Sequence, residues 1–281
     1  MHPLWENVSE RVYFNTLDKD LKTDVLIIGG GIAGILCAYE LQNKGIDYVL
    51  VEAKYICNGI TNNTTAKITL QHGLIYDKII KKYGIEKAKM YLEANNRAVK
   101  KYVELCKKIE CDFEIKDSYV YSLDDIKKIE NEINALQKLN FEAHFEERLN
   151  IPLSVAGAIK IKNQAQFNPL KFIYAIAKDL NIFENTKVNR VENNTAYTDK
   201  HKIKANKIII ATHFPFLNKY GGYFFKMYQH RSYVIALDNA SAVKGMYVDE
   251  AQKGMSFRNY KNLLLIGGGD HRTGKKGGAW N

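Results

Sequence analysis

Asp24-Val25-Leu26-Ile27-Ile28-Gly29-Gly30-Gly31-Ile32-Ala33-Gly34 carries the strongest structural signal in the chain. Its first five residues form a continuous β-rich apolar run, the pattern of a strand buried on both faces of a parallel sheet. A glycine-rich turn follows directly. Ile32 to Asn43 then has helical periodicity, with Gly45 placed to end the helix. Tyr48-Val49-Leu50-Val51 reads as a second buried strand that closes a β-α-β unit, and Glu52 ends it. Gly29, Gly31 and Gly34 satisfy G-x-G-x-x-G, a weak pattern on its own. Here it follows a buried strand, opens a helix, and has a carboxylate at the end of the next strand, which is the context dinucleotide binding requires. Gly29 is expected to make the tight turn, Gly31 to let the backbone approach a pyrophosphate, and Gly34 to let helix and strand pack closely. The N–H groups at Ile32 and Ala33 and the positive end of the helix would hold the phosphate charge. Glu52 would accept hydrogen bonds from ribose hydroxyls and repel a 2′-phosphate, which argues against NADP. The motif leaves NAD and FAD both open.

Around this unit, the chain of 281 residues with 46% hydrophobic content can bury a substantial core. The net charge of +10 comes from Lys residues scattered among Glu and Asp, so a solvated basic surface is expected and no nucleic-acid partner. Cys37, Cys57, Cys106 and Cys111 contain no CxxC pair and no His partner at zinc spacing, so neither a metal nor a redox dithiol is expected. The longest apolar run, Val25 to Ala38, is interrupted by four glycines and is too short to span a bilayer. A cytoplasmic protein that does not engage a membrane is the expectation.

Residues 1–19 read as a lead-in, with Leu4, Trp5, Tyr13, Phe14 and Leu17 available to pin it. Lys78 to Ile109 has the apolar stripe of one or two amphipathic helices, with Ile79, Ile80, Met90, Tyr91 and Val99 among its members. Asp117–Ser122 and Ile151–Ile161 read as strands, and Asp124–Leu139 as a charged helix. Asn168-Pro169 is a helix start with proline at the first helical position. Asn185–Val191 and Lys207–Ala211 read as strands returning to the nucleotide-binding sheet. Tyr233–Leu237, Met246–Val248, Met255–Arg258 and Leu263–Ile266 alternate as an antiparallel sheet. The glycine run from Gly267 to Gly269 reads as a flexible turn.

Cys57-Asn58-Gly59-Ile60-Thr61-Asn62-Asn63-Thr64-Thr65-Ala66-Lys67, following Glu52-Ala53-Lys54, resembles the second flavin-contacting loop of the glycine/D-amino acid oxidase (DAO) family. Gln166-Phe167-Asn168-Pro169-Leu170, Asn185-Thr186-Lys187-Val188 and Ile208-Ile209-Ile210-Ala211-Thr212 resemble further segments of that family in the same order. Leu4-Trp5 and Gly267 to Gly274 resemble a DAO subgroup whose members often carry a C-terminal Rieske domain, although the chain has no C-x-H and C-x-x-H pair for such a cluster. His213 stands where the family usually has glycine, and the chain ends before the family's last strand and helix, so a C-terminally truncated chain is expected.

The resemblance implies an α/β protein with a glutathione-reductase-like, FAD-binding Rossmann-type domain and an interleaved α+β substrate domain. The first is expected over residues 20–75 and 155–215, the second over 76–154 and 216–281. It implies FAD as cofactor, contacted by Gly29, Gly31, Ile32, Ala33, Gly34, Glu52, Ala53, Lys54, Gly59, Thr61, Thr65, Ala66, Lys67, the Val188 backbone, Ala211 and Thr212. It implies an oxidoreductase that takes hydride from an amine or amino acid. Lys67, His72, Arg258 and His271 are the catalytic candidates: Lys67 as a cation beside the flavin, His72 as a group that orients substrate or lies beside the ring, Arg258 as a two-pronged carboxylate clamp, and His271 as a residue following the second glycine run. Two alternatives stay open. One is an NAD-linked dehydrogenase; the other is a truncated chain without independent catalysis that needs an oligomer or a partner chain to complete its flavin pocket.

Overall fold

The computed structural model describes residues 3–217 and 221–274. The apolar run becomes strand β1 (Leu21–Ile28), followed by helix α1 (Ile32–Asn43) and strand β2 (Tyr48–Val51). The chain then forms β3 (Lys67–Ile68), α2 (Tyr76–Tyr83), α3 (Ile85–Cys106), β4 (Glu114–Ser122), α4 (Ile126–Lys138), β5 (His144–Glu146) and β6 (Gly157–Gln166). It continues through α5 (Pro169–Ala177), β7 (Ile182–Phe183), β8 (Arg190–Glu192), β9 (Thr195–Tyr197), β10 (Lys202–Ile210) and the single turn α6 (Tyr223–Lys226). It closes with β11 (His230–Leu237), β12 (Met246–Asp249), β13 (Ser256–Tyr260) and β14 (Leu263–Arg272). Two compact units share these elements: Met1–Thr64 with Asn168–Tyr228, and Thr65–Phe167 with Gln229–Asn281.

The first unit is built on a six-stranded sheet in the order β7-β2-β1-β10-β9-β8. β7, β2, β1 and β10 run parallel, β9 pairs antiparallel to β10, and β8 pairs antiparallel to β9. Leu26, Ile27, Leu50 and Val51 are fully buried, as β1 and β2 lie in the interior of the sheet. Burial of each such side chain stabilises the fold by about 1.5–3 kcal/mol. α5 starts as the sequence predicts, with the Asn168 side chain accepting from the N–H groups of Leu170 and Lys171, both at 3.1 Å. The lead-in belongs to this unit: the Trp5 indole donates to the Thr64 carbonyl, and Arg11 reaches the buried Glu184 carboxylate at 2.9 Å.

Asn185 takes a left-handed φ of 49°, so residues 185–189 do not form the predicted strand. They line the loop after β2 instead, with Asn185 N–H bonded to Lys54 O and Thr186 N–H to Glu52 O. The order of strands is α/β with parallel central strands, the fold class expected.

The second unit holds an eight-stranded sheet, β11-β14-β13-β12-β4-β6-β3, with β5 paired to β6. α2, α3 and α4 close on it through Ala88, Leu92, Ile129, Ile133 and Leu136. The amphipathic segment is two helices, broken at Gly84 with φ 83°. Met90, counted on the apolar stripe, is 60% exposed. Three sequence expectations change in this unit. The glycine run is not a turn: β14 continues through Gly267 and Gly268 to Arg272, paired along β11. A Cβ at Gly267 would stand 2.7 Å from the Ser256 hydroxyl, so the strand needs glycine there for close packing. β6, expected with the nucleotide-binding domain, pairs with β4 and β3 here, as do residues 65–75 with their neighbours in this unit. Residues 275–281, expected to end the substrate domain, lie outside the described residues. Among the described residues no helix is long and apolar enough to cross a membrane.

Candidate functional site

The turn after β1 is built from glycines with different jobs. Gly29 has φ 113°, and a Cβ there would meet the Ala211 carbonyl oxygen at 2.6 Å. A Cβ on Gly34 would stand 1.9 Å from Gly29 O, so only glycine lets α1 rest on the turn. Gly31 differs. Its φ of −78° suits any residue, and a Cβ would meet only the Thr61 hydroxyl, at 3.5 Å. Apart from that hydroxyl, the turn is thus open at Gly31, the residue where a ligand would approach. The N–H groups of Gly31 and Ala33 have no protein acceptor among the described residues, while Ile32 N–H is taken by Thr61 Oγ1 at 3.1 Å. Unsatisfied donors on the first turn of a helix form an anion cradle.

Glu52 closes the cradle. Its carboxylate accepts from Gly30 N–H at 2.7 Å and Lys54 N–H at 3.0 Å, which fixes its orientation while leaving lone pairs on both oxygens. Gly30, absent from the predicted set, is therefore the residue that aims Glu52. Its position within the glycine run is the signal that could have found it. Ala53 and Lys54 are exposed beside it. The Val188 side chain is buried, and its backbone N–H and C=O have no protein partner among the described residues. Gly59 precedes a short 3₁₀ turn, Ile60–Asn63, that presents Thr61. Ala211 N–H is bonded to Ile28 O, and Thr212 Oγ1 to Phe214 O. His213 adopts φ 64°, the left-handed conformation glycine would supply there. These residues all belong to the first unit.

Glu184 was not legible beforehand. It is 1% exposed and accepts from Ile56 N–H at 2.8 Å and from Arg11, so a carboxylate far along the chain sets the loop after β2. Cys57 on that loop has φ 61°, and burial with Glu52 and Glu184 nearby pushes its thiol up to about 12, which keeps it protonated and unreactive.

Thr65, Ala66 and Lys67 lie in the second unit, with Arg258, His72 and His271. Arg258 sits in β13, an interior strand, at 1% exposure, and its Nη1 donates to the Ala66 carbonyl at 2.7 Å. Lys67 Nζ donates to Thr65 Oγ1 at 3.3 Å. The residue is partly buried, and desolvation, with the Arg258 charge, lowers its pKa to about 7. His72 bonds Tyr91 Oη at 2.8 Å, and His271 stacks on Tyr233 with its Nδ1 3.2 Å from Gly269 O. Of the four catalytic candidates, only Lys67 and Arg258 are brought together.

Similarity to known proteins assigns the chain to a family. The DAO family, FAD dependent oxidoreductases, matches residues 24–280. YhfW of Bacillus subtilis (strain 168), which bears the name of a Rieske 2Fe-2S iron-sulfur protein, is 37% identical over 96% of this chain and 57% of its own length. The chain thus spans a little over half the length of that curated relative. An L-proline dehydrogenase from P. horikoshii superposes with TM-score 0.71 at 18% identity, over 92% of this chain and 72% of the other. A glycine oxidase from Geobacillus kaustophilus superposes with TM-score 0.66 at 16% identity, over 93% and 73%. The choice between NAD and FAD that the glycine motif leaves open falls to FAD: the chain belongs to the DAO family of FAD dependent oxidoreductases.

Proposed function

We propose that this chain forms the flavin-holding part of an enzyme that oxidises an amine or amino acid. The observation that carries the reading is the cradle at Gly31, where unpaired N–H groups and an oriented carboxylate border a position at which a Cβ would meet only the Thr61 hydroxyl. Gly31 and Ala33 would bind the pyrophosphate of FAD, Glu52 the ribose hydroxyls, and the Val188 backbone the adenine. When bound, FAD supplies the acceptor for a hydride equivalent taken from the carbon next to the substrate nitrogen. Thr65, Ala66 and Lys67 would serve the flavin ring, a reading supported by the resemblance of their stretch of sequence to the family's flavin-contacting loop. The names of the two solved relatives, a proline dehydrogenase and a glycine oxidase, support a substrate with an oxidisable C–N bond. The name of the Bacillus relative supports an iron–sulfur centre as a route for electrons.

Anaerobic visible spectroscopy tests the reading. Addition of a panel of amines and amino acids to the FAD-loaded protein is expected to bleach the flavin bands. Bands that no C–N substrate bleaches, but that a hydroxy acid or polyol does, would overturn the substrate class.

A further inference from the structure

Glu6, Ser9 and Arg11 of the lead-in, Tyr55 on the loop after β2 and Tyr174 of α5 line a cleft of about 240 Å³. All five belong to the first unit, and none of them is among the residues of the glycine cradle. Sites for drug-sized ligands run to roughly 300–1,000 Å³, so the occupant of this one is small. Tyr174 is the decisive residue. It is 5% exposed, yet its hydroxyl has no hydrogen-bond partner among the described residues. That hydroxyl is not one of the polar atoms sealed in the interior without a partner; it opens on the cleft. A tyrosine whose ring is buried and whose polar tip is free is suited to hold a ligand.

The neighbouring side chains are held from behind. Arg11 Nη2 donates to the buried Glu184 carboxylate at 2.9 Å, and the guanidinium lies over the rings of Tyr55 and Tyr13, 4.1 and 4.5 Å from their centres. Arg11 Nη1 has no acceptor among the described residues. Ser9 Oγ donates to the Asn168 side chain at 3.2 Å. Glu6 Oε1 accepts from the Asn62 amide, and its other oxygen has no donor among the described residues. The lining thus offers a guanidinium with N–H groups to spare, a carboxylate with a spare oxygen, and the hydroxyls of Ser9, Tyr55 and Tyr174. A lone anion would meet Glu6 and a lone cation would meet Arg11, so the charges match a molecule that bears both signs.

We propose that this cleft is a binding site for a small zwitterion of the amino-acid kind, its carboxylate taken by Arg11 and the Tyr174 hydroxyl and its ammonium by Glu6. Both ends are then held by charge-assisted hydrogen bonds. Side chains already fixed by Glu184, Asn62 and Asn168 lose little freedom when the ligand arrives. The site stands apart from the flavin reading, because no residue that lines it is assigned to FAD.

The test is isothermal titration calorimetry of the whole protein without FAD, with glycine, L-proline and L-leucine as probes. Isoamylamine, which is leucine without its carboxylate, and isocaproate, which is leucine without its ammonium, serve as controls. At least one amino acid is expected to bind saturably, and the two controls at least tenfold more weakly than L-leucine. Tyr174→Phe keeps the ring and removes only the hydroxyl, and should weaken amino-acid binding about threefold to tenfold. Glu6→Gln keeps an oxygen for Asn62 and removes the charge, and should weaken it about tenfold or more. No saturable binding of any amino acid by the wild type overturns the proposal. Binding that both variants keep in full also overturns it, since the amino acid would then sit elsewhere. A preference for isoamylamine or isocaproate over L-leucine overturns the zwitterion and assigns the cleft to a cation or an anion. Should Tyr174→Phe fail to fold, Glu6→Gln, at an exposed position, still decides. Failure of the flavin reading would show separately, as absence of FAD uptake.

Discussion

Gly31 and Gly34 stand three residues apart in one motif and answer to different forces. Gly34 is required by the protein itself, because a methyl there would overlap Gly29 O. Gly34→Ala is expected to lose about 1–3 kcal/mol or more of stability, seen as an earlier urea midpoint. Gly31→Ala has room for its methyl and should unfold like the wild type, yet lose at least tenfold in FAD affinity by fluorescence titration, a cost of about 1.4 kcal/mol or more. Lys67 makes a second residue-level prediction. Its folded pKa of about 7 lies below the ordinary 10.5, so between those values the unfolded chain binds more protons than the folded one. Stability should therefore rise with pH across that window, and Lys67→Met should flatten the rise in denaturation curves. The glycines were legible because strand, turn, helix and carboxylate follow one another within a short stretch. The Arg258–Lys67 pairing was not, because Arg258 and its hydrogen-bond partner Ala66 lie 192 residues apart.

At the scale of elements, α2 depends on a side chain from another helix. The buried Glu132 of α4 accepts from the N–H groups of Ile75, Tyr76 and Asp77 at 2.8, 2.8 and 2.9 Å, and so caps α2. Glu132→Ala would leave these donors without an acceptor and should cost about 2–4 kcal/mol in chemical denaturation. Burial outweighs the three hydrogen bonds and raises the Glu132 pKa in the folded state. A carboxyl raised on folding contributes stability at low pH that is lost as pH rises through its folded pKa, so Glu132 should weaken the fold on the alkaline side of the carboxylate range. The helix is visible in the sequence as an amphipathic stripe, but its cap is not. Glu132 follows no local capping pattern, since it arrives from a separate helix. The strand β14 was hidden for a related reason. Gly267 and Gly268 read as punctuation, whereas the tight approach of Ser256 is what demands a residue without a side chain at Gly267.

Over the whole molecule, two units are threaded from alternating pieces of chain, and the crossings fall at 64/65, 167/168 and 228/229. Sequence patterns place the first β-α-β unit residue by residue but leave these crossings displaced, because a strand's own composition does not say which sheet it joins. β6 is the clearest case: its apolar residues suit either sheet, and pairing with β4 decides. Since only the folded chain offers the cradle, FAD should stabilise it by mass action, by about 2.7 kcal/mol at a concentration one hundred times Kd, and raise Tm accordingly. The measurement that tests the account most directly is an equilibrium titration of the purified protein with FAD, followed by its visible spectrum and flavin fluorescence, with Gly31→Ala alongside. Saturable uptake of FAD by the wild type, weakened in the equally folded variant, is the predicted result. A wild-type protein that takes up no FAD, or a variant that binds it as well as the wild type, would contradict the assignment of the cradle.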